Sequence, residues 1–175
     1  MEHLWAGWRS AYVQRADVQG GDDERPAIDI ADDQTLFEAI LHSGYPDCDT
    51  RILWRGERVF AMLNVFPYTS GHLMVLPMRA VEQLTELDDA EYAELWQGVR
   101  LATQAVEAAY APQGINVGVN LGRGAGAGIP DHLHVHVLPR WDGDTNFMTA
   151  IANTRVMPEP LAATWERLHA AWPSA

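Results

Sequence analysis

The chain has 175 residues, enough for one domain with extensions, and 47% of them are apolar, a globular composition. Acidic residues outnumber basic ones 24 to 12, and the net charge of −12 excludes a long nucleic-acid backbone as partner, though not a small nucleotide, whose phosphates meet only the local field. The single cysteine, Cys48, rules out an internal disulfide and fits a reducing cytoplasm; no apolar run reaches membrane-spanning length, and no basic-then-apolar leader opens the sequence.

In chain order, Leu4, Trp5, Trp8 and Tyr12 suit one face of a helix or an extended arm that docks on the body or on a second subunit. Residues 16–33, around Gly20-Gly21-Asp22-Asp23, read as a mobile loop. Asp32-Asp33 is expected to cap a short helix through Leu41, with Leu36, Phe37, Ile40 and Leu41 inward. Gly44, Pro46 and Asp47 then break the chain. Residues 51–56 and 58–65 read as two strands around a Gly56-Glu57 turn, the second ending at Asn64. Pro67-Tyr68-Thr69-Ser70-Gly71 is turn chemistry, and a third strand follows over 72–77. Thr85-Glu86-Leu87-Asp88 has the form of a capping box. The helix behind it runs to about Tyr110, with Tyr92, Leu95, Trp96, Val99, Ala102, Val106 and Ala109 as a core stripe. Residues 115–121 form a fourth strand with Asn116 and Asn120 on one face, and a fifth follows. Trp141 to Asp144 turns away, and a last helix covers 161–172. The expected class is α+β, an antiparallel sheet of about five strands with helices on one side. The expected organisation is an arm, loop and short helix over 1–50, a core over 51–140 and a tail over 141–175.

The fifth strand carries the chemistry. In His132-Leu133-His134-Val135-His136-Val137-Leu138, side chains two apart share a face, so Leu133, Val135 and Val137 can enter a core. The three imidazoles then stand in a row, about 6.5 Å apart at a rise of ~3.3 Å per residue. One histidine on a polar face is ordinary; three in strict alternation suit a nucleophile, acid–base or metal-ligand role. Upstream, Gly122-Arg123-Gly124-Ala125-Gly126-Ala127-Gly128 reads as a flexible connection or, beside three histidines, as a cradle of backbone N–H groups for a phosphate. Arg123 and Arg140 are cationic neighbours there, or plain surface residues.

These residues resemble the histidine triad (HIT) superfamily of nucleotide hydrolases and transferases. The resemblance rests on HLHVHVL at 132–138, GHLMVLP at 71–77, NVGVNLG at 116–122, AGAGIPDHLHVHVLPRW at 125–141 and DTNFM at 144–148. It covers roughly 51–157 and is most similar to the branch containing diadenosine tetraphosphate phosphorylases. The resemblance implies a HIT-like fold that dimerises, a covalent nucleotidyl-histidine on His134, and His136 at the phosphate and leaving-group region. It implies that His132 orients the others and that His72 supports the triad. It places Asn64 on ribose, Met62 at the base pocket, and Asn120 with Gly126 and Gly128 at the phosphates. The implied ligand is a purine nucleotide or dinucleoside polyphosphate; no cofactor is expected to be required, and a divalent cation on the substrate phosphates is left open. Some family members hold structural zinc through a Cys-x-x-Cys pair near the start and a histidine after the third strand. Here Cys48 stands alone and Ala80 takes the histidine's position, so no zinc is expected.

Three readings follow. The first is an enzyme cleaving diadenosine polyphosphates, with water or phosphate as acceptor, or a nucleoside phosphoramidate hydrolase. The second is a nucleotide-binding regulator with vestigial activity. The third is a metal site built from the three imidazoles.

Overall fold

The computed structural model describes residues 26–144 and 159–174. The N-terminal aromatic arm, the first part of the 16–33 loop and most of the DTNFM segment lie outside those residues. The described elements are α1 (Leu36–His42), α2 (Asp47–Thr50), β1 (Ile52–Arg55), β2 (Val59–Leu63), β3 (Leu73–Pro77), α3 (Asp89–Tyr110), β4 (Gly114–Val119), β5 (Val135–Arg140) and α4 (Leu161–Ala171), with short 3-10 turns at Leu84–Glu86 and Arg123–Ala125.

All strand pairs are antiparallel, in the order β1-β2-β3-β5-β4. The α+β class and the five-stranded sheet are thus as expected. The register decides which residues share a face. Ile52, Met62, Met74, His136 and Gly118 form one row across the sheet, and Leu63, Leu73, Val137 and Val117 form a row offset by one residue, on the opposite face.

The face carrying Leu63, Leu73, Val75, Val135 and Val137 packs under α3 and α4 through Leu95, Val99, Ala102, Val106 and Leu168. The other face carries Ile52, Phe60, Met62, Met74 and Leu76, and it packs against Phe37 and Leu41 of α1. Helices therefore lie on both faces, not one. An amphipathic stripe shows that a helix buries one side, but not which side of the sheet receives it.

Local structure differs from expectation at the helix starts and in one helix stripe. Thr35, not Asp32-Asp33, caps α1, and it forms a capping box with Glu38. The segment after Pro46 forms the four-residue α2 instead of only breaking the chain. Asp88, paired with Glu91, caps α3, while Glu86 closes a box on Gln83 one turn earlier. Tyr92 and Trp96 are 47% and 38% exposed, because Leu95, Val99, Ala102 and Val106 already fill the contact with the sheet. Their rings meet each other edge to face at 6.2 Å.

The C-terminal aromatics find partners in their own chain. Trp165 donates Nε1–H to the Ile52 carbonyl at 2.8 Å, and Trp172 stacks on Trp54. Tyr110 donates its hydroxyl to Glu159 at 2.6 Å. Burial first, then that carboxylate, pushes the phenol's pKa well up.

Candidate active site

β5 begins at Val135, so His132 and His134 stand on the extended segment leading into it and only His136 lies within the ladder. The alternation survives the change. Leu133, Val135 and Val137 sit in the core under α3, and the three imidazoles gather on the α1 side. They do not face water: His132 is 0% exposed, His134 6%, His136 8% and His72 1%. Burying four imidazoles requires a partner for their nitrogens, and those partners fix where each proton resides.

His134 Nδ1 lies 2.8 Å from the His132 carbonyl. A carbonyl only accepts, so Nδ1 carries the hydrogen and the Nε2 lone pair is left for chemistry. Burial, opposed by that bond, holds the His134 pKa below the ordinary imidazole value of 6.5. The ring is therefore held neutral at pH 7, with the Nε2 lone pair available.

His136 is oriented through His72. The Tyr68 amide donates to His72 Nδ1 at 3.0 Å, and Asn64 Nδ2 approaches the same nitrogen at 3.5 Å. The Asn64 amide is turned this way because its Oδ1 accepts from the Phe66 amide at 3.0 Å. With Nδ1 accepting, His72 carries its hydrogen on Nε2 and donates to His136 Nδ1 at 3.0 Å. His136 then holds its hydrogen on Nε2, as a neutral donor. A charged His136 would need His72 to reverse, which places two N–H groups head to head at Tyr68. His134 and His136 meet edge to face at 4.9 Å, so a nitrogen lone pair and an N–H donor are carried on neighbouring rings.

Gly71 makes the approach of His72 feasible. Its φ is +82°, and a Cβ there would lie 2.8 Å from the Tyr110 ring, so only glycine reaches this turn without strain. His132 is gripped at both nitrogens: Nε2 donates to the Pro77 carbonyl at 2.9 Å, and Nδ1 faces the Thr35 hydroxyl at 2.8 Å. Burial pushes its pKa down as well. The Phe37 ring packs against both His132 and His134, at 5.4 and 5.7 Å.

The remaining expected residues are placed less directly. Asn64 is brought into the site, tied to His72 and to an Asx turn at once. Met62 is 1% exposed and lies in the same row as His136, with Met74 between them; it is packed into the second core rather than opening on a cavity. Asn120 is half-buried just beyond β4. The glycine loop is a turn closed on itself: Ala125 and Ala127 donate to Gly122, and Gly126, at φ +90°, donates to Arg123. The Gly126 amide is thus engaged within the loop, whereas among the described residues no such internal bond holds Gly128. Arg140 forks onto Asp144 and donates to Asn116, while Arg123 is exposed. A recess of about 410 Å³ bordered by Thr35, Ala80 and Asp131 has none of the four histidines in its lining.

Thr35, Glu38, Phe37 and Tyr68 escaped the sequence reading as site residues. Thr35-Leu36-Phe37-Glu38 does carry a signal, the Thr-x-x-Glu of a capping box ahead of an apolar run. Tyr68 carries none: its amide donates to His72, and its ring packs on His72 and His136 at 4.6 and 5.8 Å.

The HIT domain family matches residues 46–143. An AP-4-A phosphorylase of Mycobacterium tuberculosis is 38% identical over 172 residues, 98% of this chain and 85% of that protein. An asymmetrical bis(5'-nucleosyl)-tetraphosphatase of Schizosaccharomyces pombe is 34% identical over 95 residues, 54% of this chain and 52% of that one. Among solved structures, a histidine triad nucleotide-binding protein of Sulfolobus tokodaii aligns with a TM-score of 0.62 at 26% identity, covering 77% of this chain and 89% of its own. A zinc-bound histidine triad family protein of Mycobacterium smegmatis gives the same TM-score and identity, covering 77% and 90%. Among the described residues, the side chains do not fit a zinc site. Ala80 offers no side-chain donor, Cys48 is exposed with its thiol toward Asp49, and among the described residues no group of three His, Cys, Asp or Glu side chains is arranged to hold a metal ion.

Proposed function

The chain belongs to the HIT domain family of nucleotide hydrolases and transferases, and on that premise we propose that it cleaves dinucleoside polyphosphates through a covalent nucleotidyl-histidine on His134, with inorganic phosphate as acceptor. The observation that carries this reading is the pairing of a His134 Nε2 lone pair with the His136 Nε2–H donor beside it. His134 Nε2 attacks the α-phosphorus, and the bond to the bridging oxygen of the leaving nucleotide breaks. His136 donates a hydrogen bond to the oxygens that gain charge in that displacement. Phosphate then attacks the same phosphorus, the phosphorus–nitrogen bond breaks, and a nucleoside diphosphate leaves. One hard displacement becomes two easier ones. Asn64, with donor and acceptor in one amide, is assigned to the ribose hydroxyls. Asn120 and the Gly128 amide are assigned to the phosphates.

Phosphate is favoured over water because the relative named AP-4-A phosphorylase matches nearly the whole chain, whereas the tetraphosphatase matches about half. Incubation with diadenosine tetraphosphate and phosphate should give ADP and ATP; AMP and ATP would assign the reaction to water. No resident metal is part of the proposal, and full turnover of a metal-free preparation supplied only with the cation its substrate carries is the matching test. Two copies are proposed to associate. Exposed Tyr92 and Trp96 on α3 and Val117 on the edge strand β4 are proposed as contacts for it, and a monomer unchanged by concentration in sedimentation would contradict it.

A further inference from the structure

We propose that Thr35 and Glu38, at the start of α1, are positioning residues that lock the His132 ring and, through it, the nucleophile; this rests on the assignment of His134. The lock is a closed circuit of hydrogen bonds. The Thr35 hydroxyl meets His132 Nδ1 at 2.8 Å, and His132 Nε2 donates to the Pro77 carbonyl at 2.9 Å. Three residues beyond Pro77, the Ala80 amide donates to Glu38 Oε1 at 3.0 Å. Glu38 Oε2 accepts from the Thr35 amide at 2.9 Å, which closes the circuit.

The proton count gives the circuit a direction. Thr35 has one hydroxyl hydrogen and two acceptors in range, His132 Nδ1 and Glu38 Oε2, the latter at 3.1 Å. The carboxylate already receives main-chain N–H groups on both oxygens. His132 donates through Nε2, so its Nδ1 needs a donor. The hydroxyl hydrogen therefore goes to His132, while Thr35 Oγ1 still accepts from the Glu38 amide at 3.3 Å as the helix cap. One side chain both starts the helix and sets the tautomer of a buried imidazole.

The consequence reaches His134 by two routes. The His132 carbonyl is the acceptor that keeps the His134 hydrogen on Nδ1. Phe37, two residues beyond Thr35, packs on both rings. Position 80 is where the family resemblance puts a zinc-holding histidine in some members. Here the main chain at that position is tied to α1 by Glu38.

The test uses the full chain with Thr35→Val, Thr35→Ser and Glu38→Gln. Thr35→Val keeps the shape and removes the hydroxyl. Its kcat for diadenosine tetraphosphate should fall about tenfold with KM within twofold, measured well below its Tm, because the lost group never touches substrate. Thr35→Ser should restore kcat. Glu38→Gln, which keeps one of the two main-chain acceptors, should fall about threefold. Imidazole nitrogen-15 spectra of the wild type should show His132 with Nδ1 unprotonated, and Thr35→Val should shift that signal. Wild-type kcat in Thr35→Val, or no rescue by serine, overturns the proposal. Should Thr35→Val not fold, Glu38→Gln decides: wild-type kcat there overturns it. An inactive wild type would count against the assigned reaction alone, since the His132 spectra still report on the lock.

Discussion

The two faces of the sheet are made by the same strands and differ in what they demand. Under α3 and α4 the side chains are aliphatic, and what holds them is volume and shape. On the α1 face an apolar patch of Ile52, Phe60, Met62, Met74 and Leu76 runs directly into four buried imidazoles. There the demand is a hydrogen for every nitrogen that must donate and a lone pair for every one that must accept. The pleat lets one segment serve both, since Leu133, Val135 and Val137 anchor the strand from one side while His132, His134 and His136 are presented on the other. A damaged first face should loosen the protein without changing its chemistry; a damaged second face should do the reverse.

The largest expected effect comes from His134→Ala. Removing the proposed nucleophile should lower kcat by at least ~10³-fold, with Tm nearly unchanged. Residual turnover near wild type would break the contrast. Leu95→Ala is the counterpart on the opposite face. Leu95 is 0% exposed in the core, and losing its side chain should cost about 2–5 kcal/mol in urea unfolding, with kcat/KM and its pH profile retained at low temperature. A shifted pH profile in that variant would mean that the faces are not independent.

A smaller effect is expected at His72→Asn, which withdraws the donor that orients His136. A loss of about 10- to 100-fold in kcat is expected, below the range for removing an acid–base group itself. A loss as large as that of His134→Ala would give His72 a direct chemical part.

The smallest effect is read from pH. His134 and His132 have pKa values pushed below 6.5, chiefly by burial. The acidic limb of kcat/KM should therefore have its midpoint below 6.5, and a midpoint above it would contradict a buried neutral nucleophile. The sign for stability is the same. Below pH 6.5 the unfolded chain binds protons that the folded one resists, so this stabilisation is complete above 6.5 and is lost as pH falls toward the lowered folded values.

Legibility in the sequence follows the same division. The apolar alternation at 133–137, the strand pairs and the long helix were readable because each is a local period with one meaning. The row of histidines was readable for the same reason, since a two-residue repeat survives even where the ladder has not begun. What escaped reading depends on contacts distant in the chain. Asp32-Asp33 offers better-looking caps than Thr35 until His132, 97 residues away, is seen to need the threonine's hydroxyl. Tyr92 and Trp96 satisfy the helical spacing of Leu95 and Val99, and only the width of the contact with the sheet separates exposed from buried. The glycine loop looked like a row of open amides, but a turn that closes on Gly122 and Arg123 uses several of them. The Tyr68 main-chain N–H that holds His72 has no signature in residue type, and its ring meets His136 only through the fold.

The central claim is that the lone pair on His134 attacks phosphorus and that the nucleotide passes through the protein. Wild-type enzyme mixed with excess over a single turnover of diadenosine tetraphosphate, without phosphate, and quenched in base should carry one acid-labile nucleotidyl group on His134 by mass spectrometry. Added phosphate should discharge it as ADP. Products forming at full rate with no label on the protein, or a label on any other residue, would contradict the account.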